Sequence, residues 1–181
     1  MLKEKKLKSV SNTLSKTIRL SGIIEESIVD GPGIRYVIFT QGCLKRCYQC
    51  HNEETHALDG GYEQKLDEIV EAWRKNPLIK GITLSGGEPF LQADQCLHLI
   101  KKAKETNLNV IIYSGYYYEE LLKFPSPSIK QILDQSDYLI DGPFEYRLKN
   151  LNLLFRGSTN QRIIDLQATK VMNKLTFYEK M

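Results

Sequence analysis

"RYVIFTQGCLKRCYQC" runs from Arg35 to Cys50. Its first part, Arg35–Gln41, is β-branched and aromatic, the composition of a strand. Its second part packs Cys43, Cys47 and Cys50 into eight residues with the spacing C-x3-C-x2-C. A strand is therefore expected to deliver three thiols into a loop at its carboxyl end.

The same grammar repeats downstream. Tyr62–Lys75 reads as a helix, with Leu66, Ile69, Val70 and Trp73 at i, i+3, i+4 and i+7, and Asn76-Pro77 stops it. "GITLS" (Gly81–Ser85) reads as a short buried strand followed by Gly86-Gly87. Leu91–Glu105 reads as a second helix, with Ala93, Cys96, Leu97, Ile100 and Ala103 on one face. "NVIIYS" (Asn109–Ser114) and "YLID" (Tyr138–Asp141) read as strands. Short helices are expected over Tyr117–Lys123 and Ile129–Gln135, and the chain past Leu148 reads as polar turns.

Repeated β-α units predict a parallel sheet with helices outside. Four or five such units in 181 residues are too few for a closed eight-unit barrel of roughly 250. The expected fold class is α/β, a partial, open (β/α) barrel with a mainly parallel sheet. Such folds gather chemistry at the carboxyl ends of their strands. Every unusual motif falls there: the cysteines, Ser85-Gly86-Gly87-Glu88-Pro89, Ser114-Gly115-Tyr116 and Asp141-Gly142-Pro143.

Composition narrows the setting. Hydrophobic residues at 41% and charged residues at 26% suit a soluble globular domain. No apolar run approaches the roughly 20 residues of a membrane span, and no secretory-signal core is visible, so no membrane partner is expected. The net charge of +3 is uneven. Residues 1–19 hold six basic residues (Lys3, Lys5, Lys6, Lys8, Lys16, Arg19) and one acid, a surplus of +5, and the rest carries −2. A near-neutral body with a short basic tail gives no reason to expect a nucleic-acid partner. The expected organisation is a tail over 1–18, one domain over 19–167 and a carboxyl-terminal tail over 168–181. Three cysteines in one loop point to metal binding in a reducing compartment, the cytoplasm, rather than to disulfides.

Thiolates suit zinc and iron–sulfur clusters alike. A closed zinc site needs a fourth ligand. His51 adjoins Cys50 too closely to form the usual second pair, His56 is available, and Cys96 sits on an apolar helix face and reads as a core cysteine. A four-iron cluster held by three cysteines instead leaves one iron open to an exogenous ligand.

C-x3-C-x2-C after one strand and Gly-Gly-Glu-Pro after the next resemble the radical S-adenosylmethionine superfamily. "DGPGIRYVIFTQGCLKRCYQCHNEET" (Asp30–Thr55) resembles the opening of glycyl-radical-enzyme activating enzymes. "DGPFEYRLKNLNLLFRGSTNQRIIDL" (Asp141–Leu166) is similar to the members of that family that serve anaerobic ribonucleoside-triphosphate reductase. The resemblance covers about Ser21 to Leu166. It implies a [4Fe-4S] cluster, S-adenosylmethionine chelated at the open iron, and a 5′-deoxyadenosyl radical that takes hydrogen from a glycine of a large partner. It also implies a small electron donor such as a flavodoxin.

By the same resemblance, Cys43, Cys47 and Cys50 hold the cluster and carry the catalysis. Gly86, Gly87 and Glu88 engage the amino group of S-adenosylmethionine. Ser114 lines its methionine or ribose side, and Asn52 supports cluster or cofactor. Gln49 stands where many members carry an aromatic near the adenine, and it is included among the cofactor-binding residues. Arg35 helps hold the loop, and Arg156, Asn160, Gln161 and Arg162 close the site or face the partner. Three alternatives stay open: activation of another glycyl radical enzyme of the formate-lyase type, a radical enzyme acting on a small molecule, and a non-enzymatic zinc or iron–sulfur module.

Overall fold

The computed structural model describes residues 16–178. Most of the basic tail, including Lys3, Lys5, Lys6 and Lys8, lies outside the described residues, as do residues 179–181. Seven strands form one sheet: β1 Thr17–Ser27, β2 Arg35–Thr40, β3 Tyr62–Lys65, β4 Gly81–Gly86, β5 Asn109–Tyr113, β6 Tyr138–Asp141 and β7 Arg162–Asp165. Their order is β3-β1-β2-β4-β5-β6-β7. The central run β2-β4-β5-β6 is parallel. Both flanks are antiparallel, β3-β1-β2 on one side and β6-β7 on the other. The architecture is mixed α/β, and the sheet does not close on itself among the described residues.

Alternation sorts the strands into two faces. Tyr36, Ile38, Ile82, Leu84, Val110 and Ile112 point to the helical side and join the main core. They meet the apolar faces of α1 (Leu66–Arg74), α2 (Ala93–Lys104) and α4 (Pro127–Gln135), including Ile69, Trp73, Cys96, Ile100 and Ile132. On the other face Ile111, Ile140 and Ile163 form a smaller cluster, and Arg35 and Thr83 are buried there under a cavity. With both faces covered, the central strands are nearly continuous buried runs: every residue of β2 but Phe39 and every residue of β4 but Gly86 is buried.

Several elements differ from expectation. The helix foreseen from Tyr62 begins at Leu66, because Tyr62–Lys65 pairs with β1 as an edge strand. Only residues from Leu66 onward carry the helical apolar spacing, and the Leu66 N–H is held by the Lys16 carbonyl at 3.0 Å. Strand β1 itself went unread: its register shifts between Leu20/Gly22 and Ile24/Ser27 break the period-two signal. The stretch past Leu148 contains β7 and α5 (Leu166–Met172), whose cap Asp165 accepts from the Ala168 N–H at 2.8 Å.

Helix α4 also starts two residues before the expected Ile129, since Ser126 caps it and Pro127 supplies a preset first turn. Helix α3 covers Tyr118–Leu121. No helix among the described residues is long and apolar enough to cross a membrane.

Candidate active site

Strand β2 ends at Thr40, and the next residues fasten the loop that follows. The Gly42 N–H donates to the Thr55 carbonyl at 2.8 Å, and the Cys43 N–H donates to the His56 carbonyl at 3.3 Å. Buried Gln41 donates through Nε2 to the carbonyls of Glu54 and Ala57. The loop therefore leaves the strand and returns to it, with the three thiols on the excursion. Inside it, the Cys50 N–H bonds the Cys47 carbonyl at 3.2 Å. Arg46 and Gln49 adopt left-handed backbone, φ 45° and 52°, which sharpens the loop around the thiols.

Cys43, Cys47 and Cys50 are half-buried, free, and line one cavity of about 520 Å³. Burial pushes the Cys43 and Cys50 thiols up, while backbone N–H groups pull them down: Arg46 and Lys45 at Cys43, Asn52 at Cys50. The Asn52 N–H lies 3.5 Å from Cys50 Sγ. Backbone donors aimed at sulfur are the usual support of cluster thiolates. Among the described residues no three His, Cys, Asp or Glu side chains converge on a single ion. Three thiolates that each take a different iron do not need that convergence. Cys96 stands apart, fully buried in α2, with its thiol donating to the Pro89 carbonyl at 3.3 Å.

The turn after β4 packs directly on this loop. The Gly87 N–H donates to Thr40 O and the Glu88 N–H to Gly42 O, both at 2.8 Å. A Cβ on Gly87 would stand 2.3 Å from Gly42 O, and one on Gly86 2.7 Å from the backbone of Phe39 and Thr40. Both glycines line the cavity with bare backbone.

Glu88 lies behind them, 1% exposed. Its carboxylate accepts from the N–H groups of Phe90 and Gly115 and from Ser114 Oγ. Burial pushes its carboxyl up to about 7, against the pull of those donors and of Lys45. Ser114 and Gly115 line the cavity in front of it.

The far wall comes from the segment after β6. Phe155, Arg156, Gly157 and Gln161 line the cavity, and the Phe155 carbonyl accepts from the Tyr113 hydroxyl at 2.8 Å. Gln161 Oε1 accepts from the N–H groups of Gly157 and Ser158, shaping the turn. Arg156 Nε is buried without a partner. Arg35 lies off the lining, on the same sheet face, fully buried and bonded to Thr83, Ile82 and Asn109. It forms no ion pair among the described residues, and burial lowers it to about 10 against the weaker pull of Tyr113, Asp137 and Asp30.

The structure brings Cys43, Cys47, Cys50, Asn52, Gly86, Gly87 and Ser114 to one cavity. Glu88 backs that wall rather than lining it. Gln49 is exposed, bonded to the Tyr48 hydroxyl at 3.3 Å, and lies off the lining. Asn160 bonds the Pro143 carbonyl, and Arg162 turns to Asp141 and Glu119. His56, a candidate fourth ligand by sequence, lines the cavity, whereas Lys45 and Tyr113 were missed as lining residues. Lys45 was legible as a cation inside the cysteine loop; Tyr113 carried no signal of its own.

A parallel-strand rim that joins three half-buried thiols to an acid-backed glycine turn defines an iron–sulfur protein with room for a small polar ligand. The chain belongs to the 4Fe-4S single cluster domain family, whose model matches residues 29–164, and within it to the radical S-adenosylmethionine activases. It is 33% identical over 144 residues to the anaerobic ribonucleoside-triphosphate reductase-activating protein of Vibrio cholerae, covering 75% of this chain and 90% of the relative. The Escherichia coli K12 protein of the same name is 30% identical over 148 residues, 77% of this chain and 94% of its own. The pyruvate formate-lyase-activating enzyme of Clostridium pasteurianum is 39% identical over 114 residues, 58% of this chain. This chain spans about half of that enzyme's length, 48%.

Proposed function

We propose that this protein installs a glycyl radical on an anaerobic ribonucleoside-triphosphate reductase by reductive cleavage of S-adenosylmethionine. The observation that carries the reading is the shared cavity of Cys43, Cys47, Cys50 and the Gly86-Gly87 turn. When bound there, the four-iron cluster supplies the electron that breaks the sulfonium bond.

The chain's own residues do the rest. Cys43, Cys47 and Cys50 hold three irons, with the N–H groups of Lys45, Arg46 and Asn52 supporting the sulfurs. Gly86 and Gly87 let the cofactor approach the backbone closely. Glu88 places a buried negative charge under that wall, where an ammonium group is favoured. Ser114 fixes the carboxylate and presents its own surface to the cofactor, and Asn52 lines the same cavity. Gln49 is the remaining adenine-side candidate, reachable only by a movement of the loop tip.

We read the unclosed sheet as an open partial barrel of the radical S-adenosylmethionine type, with its open side left for a partner's glycine segment. A small reductant such as a flavodoxin delivers the electron, and the cytoplasm is the setting. The choice of reductase rests on coverage: the Vibrio cholerae and Escherichia coli relatives named for that partner are matched over 90% and 94% of their length. The second reading, a formate-lyase type partner, draws on the 39% identity to the Clostridium pasteurianum enzyme.

The test is anaerobic reconstitution with iron and sulfide, reduction, and addition of S-adenosylmethionine with either partner. 5′-Deoxyadenosine and a glycyl radical signal on the reductase are expected. The same signal only on a formate-lyase type enzyme would transfer the assignment. No deoxyadenosine from protein with an intact, reducible cluster would refute the activase reading.

A further inference from the structure

Lys45 sits between Cys43 and Cys47 in sequence, yet its side chain leaves the loop and crosses to the rim after β5. Its ammonium stands 4.0 Å over the centroid of the Tyr116 ring and 3.7 Å from Glu120 Oε1. The stem passes over Gly115. A Cβ on Gly115 would lie 2.9 Å from Lys45 Cγ and 3.6 Å from Glu88 Oε2. The missing side chain is thus the gap in which the lysine stem approaches the buried carboxylate. Lys45 lines the same cavity as the three thiols, and its side chain is 24% exposed.

A surface lysine is ordinarily a mobile, hydrated charge. This one is held by an aromatic face and a carboxylate, at a site partly withdrawn from water, where charges act more strongly than in solvent. Glu120 is fixed in turn, because its Oε2 accepts from the Tyr117 N–H at 2.7 Å. A cluster gains one negative charge on reduction, so a fixed cation beside it favours the reduced state. Charge and solvent exposure are among the recognised determinants of cluster potential.

We propose that Lys45, clamped by Tyr116 and Glu120, is a positioning residue that raises the reduction potential of the cluster. The proposal rests on the assignment of that cluster to Cys43, Cys47 and Cys50. Glu120 sets the strength of the effect by partly neutralising the ammonium. A lysine that merely tied the loop to the rim would change iron uptake or stability and leave the potential alone.

The experiment compares wild type, Lys45→Met, Lys45→Arg and Glu120→Gln after anaerobic reconstitution. Iron and sulfide are quantified, and the midpoint potential is read by a spectroscopically monitored redox titration at fixed pH. Lys45→Met is expected to move the potential to more negative values, Lys45→Arg to stay near wild type, and Glu120→Gln to move it the opposite way. An iron-replete Lys45→Met at the wild-type potential overturns the proposal. If Lys45→Met fails to hold the cluster, Glu120→Gln decides: a potential unchanged or more negative there overturns it. Wild-type protein that takes up no iron and sulfide refutes the cluster assignment itself, and this proposal with it.

Discussion

The hydroxyl of Ser114 lies 3.1 Å from both carboxylate oxygens of Glu88, so one donor spans the acid. With the Gly115 N–H at 2.9 Å and the Phe90 N–H at 3.2 Å, the carboxylate is supported on each oxygen without reaching water. When ionised it is a buried charge with no cation in direct contact among the described residues.

That arrangement predicts a pH dependence in the cluster-free protein. The Glu88 carboxyl is raised from 4.5 to about 7. A raised acid contributes fully below its unfolded value, and that stability is lost as pH climbs through the folded value. The loss amounts to roughly 3 kcal/mol between pH 4.5 and somewhat above 7. Denaturant unfolding of wild type and Glu88→Gln across this window should show a difference that grows with pH. A pH-independent difference would remove the buried charge from the account.

Replacing any of Cys43, Cys47 or Cys50 with Ala should abolish cluster retention, read as iron and sulfide per chain after reconstitution. Cys96→Ala should keep the iron and lose about 1–2 kcal/mol of stability through the small cavity it opens in α2. Iron lost from Cys96→Ala, or kept in full by one of the other three, would contradict the assignment.

Gly87→Ala tests the turn. Its Cβ would stand 2.3 Å from Gly42 O, backbone against backbone, with no flexible side chain to yield. A cost of about 1–3 kcal/mol is expected, with S-adenosylmethionine binding weakened more than cluster uptake. Calorimetric titration of the reconstituted variant separates the two effects.

Arg162 pairs with Asp141 through Nε at 2.9 Å, and Asp141 is fully buried. Arg162→Met leaves that carboxylate with the Tyr118 N–H as its remaining bond. The expected loss is about 2 kcal/mol, below the usual range for a broken buried pair because Arg162 is partly exposed. The double variant Asp141→Asn/Arg162→Met should regain part of it in thermal unfolding. A double variant no more stable than the single would show that the lone charge is not the cause.

Much of the site was legible because its residues follow strands that announce themselves. β2, β4, β5 and β6 are buried on both faces, so each reads as an apolar run, and each ends in a motif. The antiparallel flanks were harder. β1 is broken by register shifts, and β3 and β7 have four residues each, too short to show a period. Placement within the site was also hidden. Nothing in "SGGEP" says that Glu88 turns behind the wall while the glycines face forward, since that depends on Ser114 and Gly115 arriving from another strand. Gln49 was assigned by its neighbours in sequence, but its left-handed backbone carries it to the outside. Lys45 needs Tyr116 and Glu120, more than 70 positions away, before its direction has meaning.

One residue joins the two halves of the site. Gly42 donates to Thr55, where the cysteine loop returns, and accepts from Glu88, where the glycine turn begins. Its neighbour Thr40 accepts from Gly87. The cysteine loop and the glycine turn are therefore mechanically linked: whatever displaces Gly42 disturbs the seat of the thiols and the wall beside it together. The corollary concerns damage. Damage that loosens the cysteine loop would be felt in the glycine turn through Gly42, so neither half of the site would be spoiled alone.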